Sequence, residues 1–173
     1  QRQMDVNFMG MVKFLHCVVP VMRRQGYGKI ICFSSIAGRL GLPFQGFYSA
    51  SKFAIEGYCE ALRLELRKSG VKVIVIEPGD FATHFTAQRK SVSDEEAYKA
   101  YPSYAESLAS IENDENTGLK PEYLAEKIAK IVRKKNPAYS YIISTLEQRL
   151  SVTLKKILPS GWFAAILSSY YKL

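Results

Sequence analysis

The chain has 173 residues, 47% of them apolar, and a formal net charge of +8; this suits one globular domain with a real core and excludes a disordered or fibrous protein. No run reaches the roughly 18 continuous apolar residues of a membrane span, and the opening Gln-Arg-Gln-Met-Asp has no secretory pattern, so a cytoplasmic protein is expected. The positive charge is uneven: from Lys120 to Leu173 ten Lys and Arg face three Glu, whereas from Lys90 to Leu119 two Lys face seven acids. A basic C-terminal third favours an acidic membrane surface over nucleic acid, because the charges are spread out and no nucleic-acid motif accompanies them. Cys17, Cys32 and Cys59 form neither a disulfide framework nor a zinc pattern and read as buried free thiols in a reducing compartment; no metal site is expected.

Taken in order, Met4 to Gln25 carries Val6, Met9, Phe14, Leu15, Val18, Val19 and Met22 at helical spacing, which predicts a buried helix bent near Pro20. "GKIICFSS" predicts a buried strand over Lys29 to Ser34, and Phe47 to Lys68 a second long helix stopped by Ser69-Gly70. "VKVIVIEPG" is almost continuously apolar from Val71 to Glu77, as in a parallel sheet covered on both faces. Residues 80–119 show no clean period and are expected to form two short helices, Asp94 to Tyr101 and Ser103 to Asn113, or a lid over a substrate. A helix from Pro121 to Lys135 and a strand in "AYSYIIST" follow. The tail, 146–173, reads as two amphipathic helices broken at Pro159-Ser160-Gly161. One domain of alternating strands and helices, with three strands, is an α/β fold with a parallel sheet.

Tyr48 and Lys52 lie four positions apart, on one face of the second long helix. A neighbouring cation favours phenolate over phenol, and a tyrosine brought closer to neutrality can exchange a proton with an alcohol oxygen. Ser35, thirteen residues earlier in "FSSIAG", sits at the C-terminal end of its strand, where side chains leave an open α/β sheet for the ligand crevice. "EPGDFAT" follows the next strand, so Pro78, Gly79 and Thr83 are expected to line the same crevice. Gly79 would permit close backbone approach, and Thr83 offers a hydroxyl and an amide.

With "DVNFMG" in the first helix, these motifs ("FSSIAG", "YSASK", "EPGDFAT") resemble, in order and spacing, the short-chain dehydrogenases/reductases; the resemblance covers nearly all of Asp5 to Phe85. It implies a Rossmann-type three-layer fold and an NAD(P)-dependent oxidoreductase interconverting an alcohol and a carbonyl. Tyr48 would be the general acid/base, and Lys52 would lower its pKa and bind the nicotinamide ribose. Ser35 would orient the substrate oxygen, Asn7 would hold a relay water behind Lys52, and Pro78, Gly79 and Thr83 would contact the nicotinamide end. The surrounding apolar text is most similar to members acting on steroids, retinoids or other lipophilic alcohols and ketones. The resemblance also implies a homo-oligomer built through helices 4–25 and 47–68, whose Gly10, Ala50, Ala54, Gly57 and Ala61 allow close helix approach; burial within one subunit would satisfy the same residues.

The family's Thr-Gly-x-x-x-Gly-x-Gly turn and Asn-Asn-Ala-Gly are absent from this sequence. The expectation is therefore the C-terminal half of such a fold, unable to hold a dinucleotide tightly or turn over without an upstream half, and silent on NAD against NADP. Two rival readings are a non-catalytic dimerising or nucleotide-sensing module and a lipid-binding protein of the membrane surface. Simpler roles accompany several residues: Ser34 and Ser35 as strand-end caps, Asn7 as a helix-solvating side chain, Thr83 as a helix start, His16 and His84 as ordinary exposed or packed histidines, and Tyr98, Tyr101 and Tyr104 as packing. For Trp162, Phe163, Ile166, Leu167, Tyr170 and Tyr171, packing over the substrate entrance is preferred to a membrane surface.

Overall fold

A computed structural model describes residues 1–83 and 95–173. The described elements run α1 (Arg2–Met4), a π-helical turn (Asp5–Met9), α2 (Gly10–Gln25), β1 (Gly28–Phe33), a 3₁₀ turn (Ile36–Gly38), α3 (Gly46–Glu65), β2 (Val71–Pro78), α4 (Glu95–Ala100), α5 (Tyr104–Asn116), α6 (Pro121–Arg133), β3 (Ser140–Ile143), α7 (Leu146–Ile157) and α8 (Ser160–Tyr170). They divide into two compact units, Gln1–Pro78 with Leu124–Ile143, and Gly79–Tyr123 with Ser144–Leu173.

The first unit holds a parallel sheet in the order β1-β2-β3. Gly28 pairs with Val71 through to Phe33 with Ile76, and Val75 with Ser140 through to Pro78 with Ile143. β2 is the middle strand, and its run from Val73 to Glu77 is wholly buried, which is why it needs apolar residues in succession where an edge strand alternates. β1 alternates, with Ile30 and Cys32 buried and Phe33 exposed. Leu15 of α2, Ile55, Cys59 and Leu62 of α3, and Val71, Val73 and Val75 of β2 join them in one core.

The sequence expectation of a buried first helix needs correction. Phe8, Met11, Leu15, Val19 and Met22 recur on one face and pack against the core, but Leu15 alone is fully buried in α2. The opposite stripe of Val6, Gly10, Phe14, Cys17 and Val21 is exposed, so Cys17 is not the buried thiol expected of it. Arg2–Gln25 is long and apolar enough to cross a membrane by length and composition, yet its Leu15 face belongs to the core of this unit. The helix runs through Pro20; its irregularity lies at the π-helical turn, which contains Asn7.

In the second unit the expected short helices are α4 and α5, and the tail is the expected helix pair. Leu158 and Pro159 interrupt it, since Ser160 and Gly161 are already helical. Thr145 and Gln148 cap α7 reciprocally. Phe163 and Tyr171 are buried, and Ser107 of α5 donates to the Tyr171 carbonyl. Tyr98 and Tyr104 meet edge to face at 5.2 Å. His84 and most of the loop entering the expected lid lie outside the described residues.

Candidate active site

Three segments converge at the C-terminal edge of the β1-β2 pair. The first is the turn after β1. Ser35 is extended and caps the 3₁₀ turn, its Oγ accepting from the Ala37 amide at 3.1 Å and donating to the Pro78 carbonyl at 3.3 Å. Ser35 is therefore the strand-end cap of the simpler reading. Gly38 closes this turn against α3: a Cβ there would lie 2.4 Å from Ser34 Oγ and 3.1 Å from the Lys52 carbonyl. Ser34 Oγ donates to that same carbonyl at 3.4 Å.

The second segment is the first half of α3. Lys52 Nζ lies 5.5 Å from the centroid of the Tyr48 ring and donates to the Phe33 carbonyl at 3.1 Å. Burial lowers the Lys52 pKa from its ordinary value. A desolvated ammonium held one helical turn from a phenol stabilises that phenol's anion more strongly than one in water would. Asn7 reaches the same turn of α3: its Nδ2 donates to Ser51 Oγ at 3.1 Å, and Ser51 Oγ donates to the Tyr48 carbonyl at 2.7 Å. Asn7 thus meets α3 through Ser51, a buried serine the sequence reading passed over.

The third segment is the end of β2. Glu77 is 1% exposed and receives both prongs of Arg39, Nε at 3.0 Å and Nη2 at 2.8 Å. Arg39 Nη2 also stands 3.1 Å from Glu56 Oε2. The hydrogen bonds to Glu77 raise the Arg39 pKa further, and burial pushes the Glu56 carboxyl up from its ordinary value. Arg39 comes from the turn after Ser35, Glu56 from α3 one turn beyond Lys52, and Glu77 from β2 beside Pro78. One guanidinium therefore ties together the three segments that carry Ser35, Tyr48 with Lys52, and Pro78. A buried acid inside an apolar strand demands a cation, so "VIVIEPG" signals that Glu77 has a partner without saying that the partner is Arg39.

Gly79 and Thr83 belong to the other unit. A Cβ on Gly79 would fall 2.6 Å from Ser144 Cβ and 2.0 Å from Gln148 Oε1, so within its own unit this glycine permits the close approach of the segment that starts α7. Gln148 also donates to Asp80 Oδ2 at 2.5 Å. Thr83 is exposed and lines a shallow pocket with Ala82, Asn116 and Pro121.

A three-stranded parallel sheet with helices packed on it, and a serine, a tyrosine and a lysine at its C-terminal edge, defines the class as a Rossmann-like α/β protein. The sequence narrows that class. Residues 1–94 match the family model described as short chain dehydrogenase, and the chain belongs to the short-chain dehydrogenase/reductase family. It is 42% identical over 174 residues to the 3-ketodihydrosphingosine reductase of Bacteroides thetaiotaomicron, covering 99% of this chain and 64% of that protein. Among solved structures, a short-chain dehydrogenase from Burkholderia cenocepacia in complex with NADP superposes with a TM-score of 0.68 at 20% identity, over 95% of this chain and 56% of the other. One from Burkholderia phymatum in complex with NAD gives 0.70 at 20% identity, over 89% and 56%. The chain thus spans about 60% of the length of these proteins, and the structural likeness shows the fold.

The residues present fit the nicotinamide end of such a cofactor. Lys52 offers a desolvated ammonium beside the end of β1, next to the Tyr48 phenol. The glycine-rich turn that receives a pyrophosphate at a helix N-terminus has no counterpart in this sequence.

Proposed function

We propose that the whole protein is an NAD(P)-dependent reductase acting on the ketone of a lipophilic molecule, with a 3-keto sphingoid base as the substrate of choice. The observation that carries this reading is the Tyr48–Lys52 pair on α3, with Lys52 desolvated and anchored on the Phe33 carbonyl; the identity to a 3-ketodihydrosphingosine reductase supplies the substrate class. A reduced nicotinamide held beside Lys52 and Tyr48 would supply the hydride for the carbonyl carbon. As the C=O bond opens, the Tyr48 hydroxyl gives its proton to the carbonyl oxygen, and the alcohol leaves with both. Lys52 offsets the charge of the phenolate left behind, and Asn7 through Ser51 holds the turn that carries it. The Ser35 hydroxyl, redirected from the Pro78 carbonyl, donates to the substrate oxygen and fixes its position. Pro78, at the end of β2, receives the nicotinamide end.

Free Cys17, Cys32 and Cys59 support a cytoplasmic location. An oligomer through α2 and α3 is supported by two exposed small or apolar stripes, Val6, Gly10, Phe14, Cys17 and Val21 on one and Ala50, Phe53, Gly57, Ala61 and Leu64 on the other. The substrate assignment is tested by comparing kcat/KM of the full-length protein for 3-ketodihydrosphingosine and for a short-chain ketone, with NADPH and with NADH. A preference of at least about a hundredfold for the long-chain ketone is expected, because each buried methylene is worth roughly 0.8 kcal/mol. Equal values would remove the lipid substrate while leaving the reductase.

A further inference from the structure

α8 is apolar on both of its sides. One side, Phe163, Leu167 and Tyr171, packs inward, with Phe163 7% exposed. The opposite side carries Trp162, Ala165 and Ile166 in the open, Trp162 at 70% exposure and Ile166 at 48%. A surface helix of a water-soluble protein places charge on its outer face, yet Ser160–Tyr170 contains no charged residue. Ile157, the last residue of α7, is 72% exposed just before the Pro159 break.

The charges stand at the two ends of this helix. Lys155 and Lys156 precede it, Lys172 follows it, and all three are exposed. From Gln148 to Leu173 the sequence has four basic residues and no Asp or Glu. The acids nearby stand at the Tyr170–Tyr171 end: Asp114 of α5 accepts from the Tyr170 hydroxyl at 2.7 Å, and Asp80 and Glu115 also lie close enough to act on Tyr171. An apolar strip with an exposed tryptophan, flanked by lysines, matches a helix lying in the boundary between lipid headgroups and acyl chains, with the lysines at the headgroups. A second copy of the chain fits less well. An isologous contact through this face would set Lys155, Lys156 and Lys172 near their own equivalents.

We infer that the outer face of α8, with Ile157 and the flanking lysines, is a docking surface for an anionic lipid bilayer. Neither cofactor nor turnover enters this inference, so it stands or falls apart from the proposed reductase activity. It departs from the sequence-based preference for packing: Phe163 and Tyr171 pack inward, and Trp162 and Ile166 are left over.

Trp162 is the one tryptophan of these 173 residues, and a Trp162→Phe control isolates its share of the emission. The full chain should be mixed with phosphatidylcholine vesicles and with vesicles containing phosphatidylglycerol, following tryptophan emission and co-sedimentation. The expected result is a blue shift and pelleting with the anionic vesicles, weakened by high salt, and little of either with pure phosphatidylcholine. Lys155→Gln with Lys156→Gln should weaken partitioning by about thirtyfold, from roughly fivefold per lysine. Ile166→Ser should weaken it without changing its salt dependence, and circular dichroism confirms that each variant is folded. Wild-type protein that leaves anionic vesicles unshifted and in the supernatant overturns the inference. So does a blue shift that grows with protein concentration in the absence of lipid, which assigns the face to a second copy.

Discussion

α2 and α3 present apolar residues at the same helical spacing, but they bury them to different depths. α3 encloses Ser49, Ser51, Ile55, Glu56, Cys59 and Leu62, whereas α2 encloses Leu15. Both have a face on the core, and both have a second, exposed stripe. The difference is that α3 also supplies polar side chains to the edge of the sheet, where each contact must be met: Ser51 by Asn7, and Glu56 by Arg39. Apolar periodicity reports how much of a helix must be covered. Buried polar residues report which face is committed within this unit, because they are costly unless partnered there.

That contrast can be broken most severely at Arg39. Arg39→Met should cost about 3–5 kcal/mol in urea unfolding, because Glu77 would be left buried without its cation; a loss under 1 kcal/mol would mean the three segments do not depend on the guanidinium. Ile55→Ala, in the committed face of α3, should cost about 2–5 kcal/mol by opening a cavity. Phe14→Ser, on the exposed stripe of α2, should stay within about 0.5 kcal/mol in the same measurement made at a dilution where the proposed oligomer has dissociated. If Phe14→Ser costs as much as Ile55→Ala, the stripe is covered in solution and the two helices are alike.

The sequence carried the sheet well. β2 was legible because a strand covered on both faces must be apolar at successive positions, and the start of α3 was legible because "YSASK" lies on a helical repeat. Of the motifs behind the family resemblance, "FSSIAG" and "YSASK" meet at the end of β1, where Lys52 donates to the Phe33 carbonyl and Ser34 to that of Lys52. The depth of α2 was not legible, since its two apolar stripes have the composition of a buried helix whether or not both are covered. The Arg39–Glu56–Glu77 cluster escaped because its members are 17 and 21 residues apart and meet only once β1, α3 and β2 are packed. The packing at Gly79 also escaped, because Ser144 and Gln148, the neighbours a side chain there would meet, are far away in the sequence.

The central claim is that Tyr48 donates the proton, and the direct measurement is turnover of the full-length protein carrying Tyr48→Phe, with 3-ketodihydrosphingosine and reduced cofactor. General acid help of this type is worth roughly 10²- to 10⁴-fold, so kcat should fall by at least about a hundredfold while cofactor binding, read by fluorescence titration, stays within about twofold. A fall in kcat of less than about tenfold would contradict the account and remove Tyr48 as the acid.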